Sequence, residues 1–396
     1  MSLKEDNIIL RVDERTHNLI KIKSLLCGLK KSQYLRESAM CYLGEKPDNK
    51  IFKKLLEKYE ESDLEGKKQI VNILFEFYRR NGYPHYNFND EQKLKIMNNL
   101  IKTEIKTEGD KIKQNSVGIN LANYFHPHMI EVAYGLNKKM RTPKECYEND
   151  EYFKDAINRE MEIGWSPNFS NTRRILRTRN KTRGATNFSP SFAKFIYDKY
   201  VPLDGKVLDP CAGFSSRLIG AIAANKNIFY HGIDPEGRTA VGDMECAAFF
   251  KEQYDMFGHR VYNFKYKFDL GYAEEIMKEL KEEEYDLVFS SPPYHSLEDY
   301  SSDPGQSHRK YPEYLEWLEK FVYVIIDESK RILKKDGKLA INIKNVKQFK
   351  IADDILNYCK KDWKIEKIWK IDLPNNEFLR KGKNEGHSEP IFVFRK

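Results

Sequence analysis

With 396 residues, 40% of them hydrophobic and 32% charged, the chain is long enough for one large or two ordinary domains and has the make-up of a folded, water-soluble protein. No apolar run reaches the roughly 18–20 residues of a membrane helix, and Met1-Ser2-Leu3-Lys4-Glu5-Asp6 lacks the basic-then-apolar pattern of a signal peptide, so no membrane is expected and the expected location is cytoplasmic. A net charge of +8, from 68 Lys and Arg against 60 Asp and Glu, permits a polyanionic partner without requiring one.

Up to about Glu162 the pattern is helical. Ile51, Phe52, Leu55, Leu56 and Tyr59 fall on one face, as do Ile70, Val71, Ile73, Leu74 and Phe77, and turn signals such as Asn81-Gly82-Tyr83-Pro84 separate the pieces. We expect residues 1–165 to form a mostly helical domain, a candidate for target recognition. The six cysteines form no CxxC pair, and His126-Pro127-His128 has no second ligand pair nearby, so no metal is expected. Then comes a basic run, Arg173, Arg174, Arg177, Arg179, Lys181 and Arg183, with no acid among them, suited to phosphate contacts.

Residues 166–396 read differently. Short apolar runs alternate with amphipathic segments: 206–208, 227–233, a weaker run at 261–266, then 285–290, 338–343, 365–371 and 390–394. One long helical stripe runs from Tyr314 to Leu333, with Asp336-Gly337 expected to end it. Strand–helix alternation implies an α/β fold, a doubly wound Rossmann-like sheet. Ligands of such sheets sit at the carboxyl ends of the strands, which directs attention to the residues after Leu208, Ile233, Tyr266 and Phe289.

The first strand runs into Asp209-Pro210-Cys211-Ala212-Gly213, and a helix is expected to start at Ser215 or Ser216 with a hydroxyl cap. Gly213 lets the backbone turn sharply beside a ligand. Asp234 ends the second strand about 20 residues later, the spacing of an acid that accepts from ribose hydroxyls of a nucleotide-like cofactor.

The fourth strand ends in Ser290-Ser291-Pro292-Pro293-Tyr294. Two prolines remove two donors and cannot extend a sheet, but they make a rigid extended segment. Ser291 and a backbone carbonyl can accept from an amino group while Tyr294 stacks on the ring that bears it, which is catalysis by positioning. The polar, turn-rich stretch 295–310 that follows is expected to be a mobile element closing on the bound ring.

With Asp209–Gly213, Asp234 and Ser291–Tyr294 in this order, the chain resembles the DNA amino-methyltransferases, the adenine-N6 and cytosine-N4 enzymes. The Asp-Pro-Cys-Ala-Gly variant followed by Arg-Leu is similar to methylases often carried by bacteriophages. The resemblance implies S-adenosylmethionine as cofactor and DNA as partner. It implies that Asn187, Phe188 and Ser189 close over the amino-acid part of the cofactor, that Asp209, Cys211, Ala212, Gly213, Asp234, Pro235, Tyr272 and Ser290 contribute to holding it, and that Ser291, Pro292, Pro293 and Tyr294 serve the target base. Two features depart from the family pattern: Ser215 stands where a second loop glycine is usual, and Gly271-Tyr272-Ala273-Glu274 replaces the common Gly-Asp-Ala. Ser291, rather than Asp or Asn, favours cytosine-N4 over adenine-N6. The alternatives are methylation of an amino group in RNA, or a nucleic-acid-binding protein with a degenerate site.

Overall fold

A computed structural model describes residues 49–113, 115–134, 140–372 and 388–396, which divide into two compact units. The first takes the described residues up to His85 and resumes for Arg141–Arg183; the second takes Tyr86–Met140 and Gly184–Lys396. The single cut near residue 165 read from the sequence is replaced by an exchange of segments. The reason lies in which core each helix serves. Met97, Leu100, Leu121 and Ala122 are buried with Val207 and Leu287 of the sheet. Ile175 and Leu176 are buried with Phe52, Leu74 and Phe153.

The first unit is built of the helices Asn49–Glu61, Leu64–Asn81, Pro143–Glu148, Asp150–Glu162 and Phe169–Leu176. Their starts are set by side chains that accept from free helix N–H groups: Asp63 from Gly66, Asn149 from Tyr152, and Asn168 from Ser170 and Asn171.

The second unit holds the strands β1 (Thr107–Glu108), β2 (Lys111–Ile112), β3 (Ala133–Tyr134), β4 (Lys206–Asp209), β5 (Phe229–Asp234), β6 (Lys265–Leu270), β7 (Tyr285–Ser290), β8 (Glu298–Asp299), β9 (Leu333–Asn342), β10 (Lys364–Asp372) and β11 (Ser388–Arg395). Nine of them make one sheet in the order β1-β2-β10-β11-β9-β7-β4-β5-β6, and β3 pairs with β8. β4 is parallel to β5 and β7, β5 to β6, and β7 to β9, while β11 runs antiparallel to β9 and β10. The parallel part of the sheet starts in the middle at β4, winds out to β6, and returns to the other side of β4 as β7. That reversal is the topological switch point at which doubly wound sheets bind ligands.

The central strands β4, β5 and β7 are buried on both faces, as parallel strands covered by helices must be. Val207, Leu287, Phe289 and Ala340 point into one apolar layer, with Phe192, Ile196, Leu218 and Ile222 of the helices Pro190–Tyr200 and Ser216–Ala223. Their neighbours Leu208, Val288, Leu339 and Ile341 point into the other, with Trp317, Phe321, Ile325 and Ile355. The expected α/β Rossmann-like sheet is the fold observed.

Three local expectations are corrected. The third strand is Lys265–Leu270, not 261–266, because Tyr262 and Phe264 are core-filling loop residues packed with Phe250. The helical stripe from Tyr314 breaks into a π turn at Leu318–Val322 and ends at Ile332. Asp336-Gly337 therefore lies inside β9, where backbone pairing has replaced the helical ladder and the glycine is not left-handed. No helix among the described residues is long and apolar enough to cross a membrane.

Candidate active site

One pocket opens at the switch point, walled by the segments that follow β4, β5, β6 and β7. The loop after β4 is fixed first. Asp209 is fully buried and lies behind the pocket wall rather than in it. Its Oδ2 accepts from Arg217 Nε at 2.6 Å and from Tyr230 Oη at 2.7 Å, and its Oδ1 accepts from Ser290 Oγ at 3.3 Å. Arg217 in turn donates to the carbonyls of Cys211 and Ala212. Burial works against the Arg217 charge, but the Asp209 carboxylate against it keeps it protonated. Asp209 thus acts through Arg217 to stiffen the turn, and of the residues expected to hold the cofactor it is one that does not line the pocket.

Gly213 adopts φ +60, and its N–H donates to Asp234 Oδ2 at 2.9 Å. Asp234 Oδ1 accepts from the N–H of Glu236 at 3.0 Å. The carboxylate lies in the pocket wall beside Pro235, and burial pushes its pKa up from 3.8 to about 7. Two backbone amides leave acceptor capacity on these oxygens for a ligand that brings hydroxyl donors.

The helix after this loop starts at Ser216, and Ser215 does not cap it through its side chain. Ser215 is left-handed and spends its hydroxyl elsewhere. Ser216 Oγ is buried, lines the pocket, and has no hydrogen-bond partner among the described residues. A buried hydroxyl without a partner is costly unless a ligand supplies one. Asn187 donates through Nδ2 to the Phe214 carbonyl at 2.9 Å, and Phe188 sets its ring edge-on to Phe289 at 5.8 Å; both line the pocket. Ser189 does not: its hydroxyl donates to the Asn115 carbonyl at 2.7 Å.

At the end of β7, Ser291 and Pro293 line the pocket. Ser291 Oγ donates to Asn342 Oδ1 at 3.3 Å. Ser290 and Pro292 face instead a small cavity beneath, with Cys211, Val322 and Ile341. Tyr294 is half-buried, with its hydroxyl donating to Glu389 Oε1 at 2.8 Å. Glu389 is also held by Lys344 at 3.1 Å. Tyr272 and Glu274 sit in the pocket wall after β6, with Lys310 Nζ 4.2 Å above the Tyr272 ring.

The segment 295–310, read from the sequence as a mobile element over the base, is pinned at several points over the pocket. β8 within it pairs with β3. Gln306 donates to Ser301 O and Oγ at 3.0 and 2.7 Å. Lys310 bridges to Glu274 at 2.9 Å and to Glu275. Tyr300, Ser301, Gln306 and His308 are wall residues that sequence reasoning missed, since a polar loop gives no sign of which cavity it faces. Phe214, Ser216 and Phe321 were also missed. Phe321 belongs to an apolar helical stripe indistinguishable from core, and it lines the pocket from within the π turn.

The basic run lies in the first unit, and the structure changes its reading as uncompensated charge. Arg179 makes a bidentate ion pair with Asp155, at 2.6 and 2.9 Å, and this pairing holds the Asp155 carboxyl below its ordinary range. Arg174 covers the Trp165 ring at 4.5 Å, and Arg173 donates to the Pro84 carbonyl at 2.7 Å. Arg174, Lys181 and Arg183 are exposed. The two histidines weighed as ligands have partners of their own: His126 Nε2 lies 2.7 Å from Ser215 Oγ, and His128 Nε2 lies 3.2 Å from Thr239 Oγ1. Among the described residues no group of three or more His, Cys, Asp or Glu is arranged to hold a metal ion.

Residues 285–396 match the family model described as DNA methylase, of the N6 and N4 class. The match begins at β7 and contains Ser291–Tyr294, Asn342 and Glu389; the Asp209–Gly213 loop and Asp234 lie before it. No curated protein matches the chain. Solved structures similar to it include a TehB-like SAM-dependent methyltransferase from Corynebacterium glutamicum, 13% identical, covering 54% of this chain and 90% of that one at a TM-score of 0.32. TrmN from Thermus thermophilus is 14% identical, over 52% of this chain and 48% of its own, at 0.33. A SAM-dependent O-methyltransferase from Thermotoga maritima is 14% identical, over 52% and 64%, at 0.30.

Proposed function

We propose that the chain transfers a methyl group from S-adenosylmethionine to the exocyclic amino group of a DNA base, with cytosine-N4 favoured over adenine-N6. The observation that carries this reading is the convergence on one pocket of an incompletely satisfied carboxylate, Asp234, with Ser291 and Pro293 of the motif inside the DNA methylase match. The cofactor fits the donors present. Asp234 offers acceptors for ribose hydroxyls, Ser216 Oγ has no partner among the described residues and is available to a polar group at the head of the helix Ser216–Ala223, and Phe188 and Phe214 supply apolar walls.

When bound, S-adenosylmethionine supplies an electrophilic methyl group on a sulfonium sulfur. Ser291 Oγ and the backbone carbonyls of the motif accept from the two amino hydrogens, so the nitrogen lone pair faces the pocket. The Asn342 bond fixes Ser291 in that orientation. Tyr294 stacks on the extruded base, and Glu389 holds its ring through the hydroxyl. The neutral Ser291 hydroxyl favours cytosine as the target, with DNA bound by the exposed cations of the first unit.

The test is incubation of mixed-sequence duplex DNA, and in parallel structured RNA, with labelled cofactor, followed by nucleoside mass spectrometry. N4-methylcytosine in the DNA digest is the expected product. N6-methyladenine would correct the base, label confined to RNA would correct the polymer, and no transfer to either would overturn the reading.

A further inference from the structure

The turn at the cofactor end of the pocket contains a residue in a conformation it resists. Ser215 has φ 56 and ψ 0, left-handed backbone, which crowds the Cβ of any residue but glycine. Something must hold it there. Ser215 Oγ donates to Asp243 Oδ1 at 2.6 Å and lies 2.7 Å from His126 Nε2. His126 Nε2 is itself 3.3 Å from Asp243 Oδ1. Ser215, His126 and Asp243 are 0%, 1% and 1% exposed. Since the hydroxyl proton goes to Asp243, His126 presents Nε2–H to the oxygen lone pair. Burial keeps the ring neutral, lowering its pKa to about 3. His126 Nδ1 and Asp243 Oδ2 have no partner among the described residues.

The seat is shaped for this cluster. A Cβ at Gly242 would lie 2.6 Å from His126 Cε1 and 2.6 Å from the Phe125 carbonyl, so the ring fits only over a glycine. On its other side His126 packs against Phe214, at 5.4 Å between ring centroids, and Phe214 is a pocket wall. The three residue types are those of a nucleophilic triad, but the geometry is not. One imidazole nitrogen faces both partners instead of relaying between them, and none of the three lines the pocket.

We propose that Asp243 and His126 are positioning residues: they latch Ser215 in the left-handed turn that a second glycine would adopt freely, and so fix the Gly213–Ser216 backbone on which the cofactor rests. The proposal depends on the cofactor reading of the pocket for its effect on binding, though not for its effect on the loop. It makes the rescue by glycine the decisive property, because glycine needs no latch.

The experiment compares Ser215→Ala, Asp243→Ala, Ser215→Gly and the double variant Ser215→Gly/Asp243→Ala. S-adenosylmethionine affinity is measured by calorimetry, and amide hydrogen exchange over 211–217 is followed in the ligand-free protein. Ser215→Ala and Asp243→Ala should weaken binding roughly tenfold and speed exchange in 211–217 more than in β4 and β7. Ser215→Gly should stay within about threefold of wild type, and the double variant should return to it. Where Asp243→Ala does not fold, Gly242→Ala disturbs the latch through His126 and should show the same loop exchange with the same rescue by Ser215→Gly. Wild-type affinity and unchanged loop exchange in Asp243→Ala or Gly242→Ala, or failure of Ser215→Gly to rescue, overturns the latch. A wild-type protein that binds no S-adenosylmethionine overturns the cofactor reading instead, and the exchange measurements still decide the latch.

Discussion

The Asp234 carboxyl gives the pocket a pH dependence whose sign follows from its burial. Its pKa in the ligand-free fold is raised from 3.8 to about 7, so the folded chain holds a proton there that the unfolded chain has lost. The stability this group contributes is full below about pH 4 and is lost as pH rises through 7. Asp234→Asn, neutral throughout, should therefore gain thermal stability relative to wild type as pH goes from 6 to 8; parallel melting curves would contradict the burial argument. Ribose hydroxyls favour the ionised form, so cofactor affinity should rise with pH through 7 in wild type and stay flat in the variant. At pH 8 the variant should bind about ten- to a hundredfold more weakly, since a hydrogen bond to a charged acceptor contributes roughly 1.5–3 kcal/mol. Tyr294 allows a second test. Its hydroxyl is bonded to Glu389, so Tyr294→Phe should keep the stacking face yet lower stability by about 1–2 kcal/mol in denaturant titration. A silent substitution would mean the Glu389 bond does not hold the ring. Asp234 and Ser291–Tyr294 were legible because their chemistry is local to a strand end. Ser215 was legible only as a departure from a usual glycine; its partners Asp243 and His126 were not, because they lie 28 and 89 residues away in the chain.

At the scale of elements, β4, β5, β7, β10 and β11 were legible from runs of apolar residues that the two-sided sheet requires. Errors fell where one pattern serves two structures. Tyr262 and Phe264 are buried in a loop, so 261–266 resembles a strand that begins only at Lys265. Leu333 continues the helical stripe in sequence, yet it is the first residue of β9. The segment 295–310 was recognised as functional but not as anchored, because its ties run to residues far along the chain. Lys310 is the main one: burial works against its charge, but Glu275 and Glu274 raise its pKa above the ordinary lysine value. Lys310→Met keeps much of the stem and removes the bridge. It should speed hydrogen exchange across 300–310 and raise the Michaelis constant for the cofactor several-fold, with turnover at saturation changed less. Exchange at the wild-type rate would show that β3–β8 pairing and the Gln306 bonds suffice to hold the segment.

For the whole molecule, the two units divide in a way that sequence order conceals. The helices Asp90–Lys102 and Ile119–Phe125 lie in the N-terminal half but bury their apolar faces with the sheet, and an amphipathic pattern records that a face is buried without recording against what. The basic run shows the same limit for charge. Read in sequence it is six cations without an acid; in the fold Arg179 is matched by Asp155, and Arg173 serves the Pro84 carbonyl. If DNA binds through the first unit, the exposed Arg174, Lys181 and Arg183 are the phosphate-binding cations to remove, and Arg179 is a residue to leave in place. Replacing those three with Gln should lower duplex affinity with little dependence on sequence, and should flatten the log–log salt dependence by about 0.9 for each phosphate no longer neutralised. Arg179→Gln alone should lower thermal stability and leave the salt slope unchanged, because its charge is already neutralised within the fold. A triple variant with the wild-type slope would remove the first unit from the DNA interface, whereas a flattened slope for Arg179→Gln would mean that DNA displaces Asp155 from the pair.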